Sequence, residues 1–286
     1  MANLKEIRIR IGSVSSTMQI TSAMKMVSAA KLKKAQDAIT AMRPYSDKLS
    51  ELMQSFSGTS GGGSKSFTEN RKLNKVLVVA ISSNRGLCGA FNANIAKEAL
   101  AFKSNEKFRD SKIDFLTIGK KINDTLSKNE AIIQNDSDVF EDLNYENVGK
   151  IADKLMSLFI SNDYDHIEII YNSFKNAATQ IPQVEQFLPI KPVEGDANAN
   201  ADYIFEPSKE KIVLELIPKS LKTQLYKSVR DSFAAEHGAR MTAMHKATDN
   251  ATELRDDLKL TYNKARQAAI TNEILEIVGG AEALKN

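Results

Sequence analysis

The chain has 286 residues, 42% of them hydrophobic and 26% charged, the composition of a foldable, soluble globular protein. Its 39 basic and 36 acidic residues leave a net charge of +3, too small to argue for a nucleic-acid binder. The single cysteine, Cys88, excludes a disulfide within the chain and any cysteine-based metal site, and His166, His237 and His245 are scattered without ligand-like spacing.

The start, MANLKEIRIRIGS, lacks the apolar core of a signal peptide. The longest plain apolar run, Val76–Ile81, is far too short to span a bilayer. The expectation is a chain that folds in the cytosol or an equivalent compartment and reaches a membrane only through a partner.

The first segment, 1–56, reads as helix, interrupted in character only by Gly12 and Pro44. One strip runs Leu4, Ile7, Ile11, Val14, Met18, Thr21, Lys25, Ser28, Leu32, Ala35, Ile39, Met42, with steps alternating between three and four. That spacing predicts a coiled-coil seam. The seam turns polar at Thr21, Lys25 and Ser28, where a second strip, Ile20, Met24 and Val27, begins. The apolar face drifts there, as it does on a helix that meets more than one surface. Through Lys34 the segment carries Lys5, Arg8, Arg10, Lys25, Lys31, Lys33 and Lys34 against the single acid Glu6. Most charge runs are simply solvated, but a basic helix of this kind also fits an acidic protein partner, anionic lipid or nucleic acid.

Ser57–Ser66, SGTSGGGSKS, has the composition of a flexible linker, and 57–73 is assigned to it. From about Asn74 the period changes. Lys75–Ser82, Lys112–Gly119 and His166–Phe174 are buried-strand patterns, with helical stretches at Ala90–Lys103 and Tyr145–Ile160 between them. Alternating strands and helices predict an α/β layer with a mostly parallel sheet over 74–207. The stretch from Ile181 to Ser208 reads as irregular, with a short last strand at Tyr203–Phe205. The last segment, 208–286, contains 60 residues from Lys219 to Val278 with no proline and one glycine, Gly238, room for a helix of about 90 Å. Leu254, Thr261, Ala268 and Leu275 repeat every seven residues, as do Leu258, Ala265, Asn272 and Gly279. These rows predict a seam of mostly small residues, and Pro218 predicts a bend near the base of the helix. The fold class expected is α/β: a long antiparallel coiled coil of N- and C-terminal helices with an inserted Rossmann-like α/β domain.

Candidate chemistry is sparse. Gly86 and Gly89 follow a strand and precede a helix, where α/β folds hold phosphates, but the dinucleotide and P-loop patterns are both absent. Turn geometry is the commoner use of such a pair. Cys88 has no histidine near it in sequence and reads as a buried small thiol before it reads as a nucleophile. Asp256 and Asp257 are adjacent, so on a helix they do not share a face for paired-carboxylate work. The methionines of the end segments, among them Met24, Met26, Met241 and Met244, suit a seam or a greased surface that fits several shapes. No constellation predicts an active site, and no cofactor or metal is called for. A coiled-coil scaffold carrying a ligand-binding α/β domain fits these features too, and an enzyme with a Cys88 nucleophile stands behind it.

The motifs KEIRIRI, QITSAMKMVSAAKLKKAQ and RPY near the start, NRGLCGAFN in the middle, and ARMTAMHKATDNA and NKARQAAITNEILEIVGGAEAL near the end resemble the gamma subunits of F-type ATP synthases. The resemblance covers both end segments almost fully and the middle more loosely. It implies a non-catalytic rotor shaft inside a hexamer of alpha and beta subunits, with a base on the membrane c-ring beside epsilon. It implies that Met24, Lys25 and Arg240 face the beta-subunit levers, and that Arg266, Gln267 and Thr271 meet the beta catch loop. It places Tyr203, Phe205 and Glu206 where the base approaches the c-ring and epsilon. The plant-type cysteine insertion is missing, so thiol control is not expected. The absence of a transit peptide favours a bacterial protein, peripheral on the cytoplasmic side of the inner membrane and attached through the c-ring.

Overall fold

The computed structural model describes residues 4–56, 65–69, 71–190 and 209–283. Of the linker expected over 57–73, residues 57–64 lie outside them, as does the expected strand at Tyr203–Phe205, whereas Lys65–Thr68 is helical and Phe67 is buried.

The middle of the chain forms the sheet. β1 (Lys75–Ile81), β2 (Lys112–Ile118), β3 (Ile132–Asn135), β4 (His166–Phe174) and β5 (Gln180–Leu188) lie in the order β3-β2-β1-β4-β5. The three pairings among the first four strands are parallel, and β4 with β5 is antiparallel. β1 is apolar on both faces because it is central, and every residue of it after Lys75 is buried. Leu77, Val79 and Ile81 share one core with Leu116, Leu155, Phe159 and Leu225. Val76, Val78 and Ala80 share the other with Ile95, Ala99, Phe102 and Phe115. This two-faced arrangement is the Rossmann-like insert.

Helices fill the crossovers. α3 (Phe91–Phe102) covers the second face and α5 (Tyr145–Ile160) the first. α5 presents Val148, Ile151, Ala152, Leu155, Met156 and Phe159 at helical spacing and is capped by Asn144, whose side chain accepts from Asn147 N at 2.8 Å. α2 (Lys65–Thr68) and α4 (Lys120–Leu126) are short.

One reading needs correction here. The stretch from Ile181 to Leu188 is β5, not irregular. Pro182 argues against a strand only where a ladder needs its N–H. β5 has β4 as its one neighbour, and an edge strand tolerates the loss. β3 and α4 carry too few residues to announce themselves by period.

The end segments form α1 (Leu4–Phe56) and α6 (Lys209–Ala283, 75 residues). Pro44 and Pro218 lie inside them. By contacts the chain divides into two units, Met1–Val27 with Met241–Asn286, and Ser28–Arg240. In the first unit the helices run antiparallel, as the contacts Arg8–Tyr262, Met18–Arg255, Thr21–Thr248 and Lys25–His245 show. All twelve residues of the α1 strip are buried or half-buried. On α6 the phase differs from expectation. Ala251, Arg255, Leu258, Tyr262, Ala265 and Ala269 turn inward, whereas Leu254, Thr261, Ala268 and Leu275 are exposed. The row Leu258 and Ala265 is in the seam, and its companion row lies one residue later than predicted. Met244 and Ala251, both buried, fix that phase. Arg255 and Tyr262 then reach Met18 and Arg8.

Candidate partner-contact surface

In the unit built from Met1–Val27 and Met241–Asn286, the seam uses one face of each helix. The other faces carry the features expected of a contact surface. Met24 and Lys25 are half-buried at the border of the seam. Lys25 Nζ lies 3.4 Å from His245 Nδ1, which in turn lies 3.3 Å from Asp249 Oδ2. Two residues of the second strip are uncovered, with Ile20 60% and Val27 57% exposed, and Met26 beside them is exposed as well. Such side chains in water mark a surface awaiting a partner when they are contiguous. Arg266, Gln267 and Thr271 are exposed on α6, and the Thr271 hydroxyl donates to Gln267 O at 3.0 Å.

Past Ala269 every residue to Glu282 is exposed. Arg8 meets Tyr262 only one turn from Leu4, so the α6 residues from about 270 onward outrun the described part of α1. Leu275 and Ile277 are 63% and 71% exposed there.

In the unit Ser28–Arg240, Arg240 is buried. Its Nη1 donates to Glu236 Oε1 at 2.6 Å, and its Nη2 donates to Arg85 O at 2.9 Å and Gly86 O at 3.3 Å. The guanidinium thus fastens the 85–89 loop to α6. Leu87 in that loop adopts φ 63 and is exposed. Burial pushes the Glu236 carboxyl up, opposed by Arg240. Burial, with Arg240 and Lys31 adding to it, lowers His237 to about 3, so its imidazole is neutral at physiological pH. Sequence reasoning missed Glu236 and His237. The i, i+4 spacing of Glu236 and Arg240 was the available signal.

The switch point of the sheet lies between β1 and β4, where open α/β folds place ligands. Here α6 occupies it. Ala235 and Ala239 pack with Cys88, Phe91 and Phe174, and Asn172 Nδ2 donates to Phe91 O at 3.0 Å. Gly238 suits this close approach: a Cβ there would sit 3.2 Å from Ala177 Cα and from Phe174 Cε2, a tight contact that its neighbours would have to relieve. The Arg85 and Gly86 carbonyls accept from Arg240, which ties this turn to α6. Cys88 is buried, accepts from Asn92 Nδ2 at 3.2 Å, and has its thiol pushed up by burial, which disfavours the nucleophilic thiolate. Among the described residues no His, Cys, Asp and Glu group could hold a metal ion, and no helix is long and apolar enough to cross a membrane. Tyr203, Phe205 and Glu206 lie outside the described residues.

Paired end helices with exposed apolar and basic residues, and an α/β insert whose ligand crevice is filled by its own helix, define a coiled-coil subunit with a Rossmann-like insert. A sequence profile described as ATP synthase matches residues 3–284, and the chain is 70% identical over the full length of both proteins to the ATP synthase gamma chain of Flavobacterium psychrophilum. The chain belongs to the ATP synthase gamma chain family, the central rotor shafts of F-type ATP synthases. It is similar in fold to a chain of the Euglena gracilis mitochondrial ATP synthase in an OSCP/F1/c-ring structure, with TM-score 0.71, 21% identity, and 98% and 94% of the two chains covered. It is also similar to a chain in the central stalk and c-ring structure of the Tetrahymena thermophila mitochondrial enzyme, with TM-score 0.57, 24% identity, and 80% and 99% covered.

Proposed function

We propose that the chain does no chemistry itself and transmits torque between the c-ring and a hexamer of alpha and beta subunits, with epsilon beside its base. The observation that carries this is the end of α6, where Ile270 to Glu282 are exposed with Leu275 and Ile277 among them. Such a helix end fits inside a protein sleeve better than it fits water. Met24, Lys25 and Arg240 form the lower contact with the beta levers, and Arg266, Gln267 and Thr271 the upper one with the beta catch loop. Tyr203, Phe205 and Glu206 are the contact of the base with the c-ring and epsilon. Because Arg240 spends its donors on Glu236 and the 85–86 carbonyls, its part in the lower contact is to hold the 85–89 loop against α6.

The mechanism is one of unequal binding. The exposed faces of the two helices differ, so each orientation favours one beta conformation over the others. About 5.5 kcal/mol of differential affinity moves a two-state equilibrium from 1:99 to 99:1. Rotation driven by proton or sodium flow changes which catalytic site receives that bias. The location that follows is peripheral, on the cytoplasmic side of a bacterial inner membrane, held through the c-ring.

The test is purification of the chain from its own cell at native abundance with identification of its partners. Alpha, beta and epsilon subunits in fixed ratio are expected. Recovery of the chain alone, with nucleotide bound, would support a ligand-binding scaffold instead.

A further inference from the structure

The polar contacts between the helices of the unit Met1–Val27 with Met241–Asn286 include four among the described residues. Arg8 Nη2 donates to Tyr262 Oη at 2.6 Å. Arg255 Nη1 lies 3.4 Å from Met18 Sδ. Thr248 Oγ1 lies 2.8 Å from Thr21 Oγ1, and Lys25 Nζ lies 3.4 Å from His245 Nδ1. The threonine pair holds the one buried side chain of the eight, Thr21. Thr248 stands between the buried Met244 and Ala251. Thr21 Oγ1 donates to Met18 O at 3.1 Å, which frees its lone pairs to accept the Thr248 proton. Thr248 has Met244 O, at 2.8 Å, as its alternative acceptor.

The seam around this pair is a weak source of register. On α6 it includes three alanines, Ala251, Ala265 and Ala269, whose short side chains interlock little with a facing helix. A polar residue at a seam position is a known means of fixing register at a cost in stability. We propose that Thr21 and Thr248, supported by Arg8–Tyr262 and Lys25–His245, form a register key that fixes the axial alignment of the two helices. The key holds Ile20 and Val27 of α1 at a constant offset from Arg266 and Gln267 of α6, so the shaft presents one surface and not several. A shift by one heptad in one direction places Thr21 against Arg255 and Arg8 against Ala269. In the other direction it places Thr21 against Met241 and Arg8 against Arg255, a like-charge contact. Both shifts lose all four contacts. The functional consequence rests on the rotor reading given above; the key itself does not.

The experiment is a distance measurement by double electron–electron resonance in the full chain carrying Cys88→Ser. Spin labels are attached at two exposed positions, Gln19→Cys and Asn250→Cys. With both threonines present, one narrow distance population is expected. With Thr21→Val and Thr248→Val, the distribution broadens and a second population appears, displaced by up to about 10 Å, the rise of seven helical residues. The melting temperature stays level or rises, because an apolar seam replaces a polar one. Thr21→Ser with Thr248→Ser keeps both hydroxyls and restores the single population. An unchanged single distance in the valine chain overturns the key, and so does a serine chain as broad as the valine chain, which would assign the effect to methyl packing. Should the double valine chain not fold, the single valine variants decide: broadening in either supports the key, and parental widths in both overturn it. The measurement needs no partner subunit, so its failure leaves the rotor reading standing, and failure of the purification test leaves the key standing.

Discussion

Gly119 closes β2 with φ +120, and a Cβ there would lie 2.5 Å from Ser82 O. The close approach is made by the ends of β1 and β2, where Ser82 N donates to Ile118 O at 2.8 Å and Ser82 Oγ accepts from Ile122 N at 3.0 Å. Gly119→Ala should therefore cost on the order of 3 kcal/mol or more, read as a drop in the denaturant midpoint. Cys88 is a packing residue, with Asn92 as its donor and Phe91 and Ala235 around it. Cys88→Ser should change stability by only about 1 kcal/mol and leave ATP synthesis by the assembled complex largely intact. Complete loss of synthesis in a correctly assembled complex would contradict that role. His237 gives a pH signature. Its folded pKa is lowered to about 3 from an ordinary 6.5. Above pH 6.5 the imidazole is neutral in both states and contributes no pH dependence. Between 6.5 and 3 only the unfolded chain takes up the proton, so stability falls as pH falls, by up to about 1.4 kcal/mol per pH unit. Glu236, raised by burial, acts in the opposite sense: the folded chain holds its proton longer, and stability rises as pH falls through that range. Glu236 is present in both wild type and His237→Gln, so the difference between their stability curves isolates the imidazole. That difference should be flat above pH 6.5 and should grow below it in favour of the variant. A flat difference throughout would place the imidazole in contact with water.

At the scale of the element, α6 changes its work along its length. Ile217, Leu221, Leu225 and Val229 close the first face of the sheet, and Ala235 and Ala239 plug the switch point. From Met244 to Ala269 one face pairs with α1, and beyond that every side of the helix is exposed. Arg266 and Gln267 lie at the last of these transitions, where the helix leaves its partner. One is a fixed cation with five donors, and the other both donates and accepts. A hydrogen bond involving a charged group contributes about 1.5–3 kcal/mol, a sizeable part of the bias needed to separate one beta conformation from another. Arg266→Ala with Gln267→Ala should lower both synthesis and hydrolysis in complexes matched for subunit composition. Assembly should persist, because the seam residues are untouched. Wild-type turnover in the fully assembled double variant would assign the bias to the shape of the shaft alone.

For the whole molecule, the two units have different means of support. The unit Ser28–Arg240 has an apolar core on each face of its sheet, with Leu77, Phe115, Leu116 and Phe159 fully buried. The unit of the two helix ends has one narrow seam, and Ile20, Val27, Leu275 and Ile277 stand in water. Helix pairs without a continuous buried face are marginal on their own. Thermal unfolding of the isolated chain should therefore begin with loss of helical signal at low temperature, followed by a sharper transition of the α/β unit. Addition of alpha and beta subunits should shift the first transition upward by mass action. One sharp, high-temperature transition of the isolated chain would count against this division of stability.

The sequence by itself determined the elements whose patterns have high contrast. Leu4 to Met42 alternate large apolar and polar positions, so the α1 seam was readable residue by residue. β1 is a continuous apolar run after Lys75, which only the middle of a two-faced sheet can bury, and β2 and β4 repeat the pattern in part, with Phe115, Leu116 and Ile118 and with Ile167, Ile169 and Ile170. The motifs at both ends carried the family. Tertiary structure decided the rest. On α6, alanines occupy several faces, so periodicity supplied two rival phases, and contact with Met18 and Arg8 chose the one with Arg255 and Tyr262 inside. Pro182 hid β5 because its cost depends on whether a neighbour needs its N–H, and strand order is not a local property. The resemblance gave Arg240 as a residue facing the beta levers, and the fold adds the acceptors that no local pattern shows, the Glu236 carboxylate with the Arg85 and Gly86 carbonyls. The G-x-x-G turn read as a weak phosphate signal, and only the path of α6 across the switch point showed what fills that space. In each case the deciding partner lies far along the chain, and a local pattern carries no record of it.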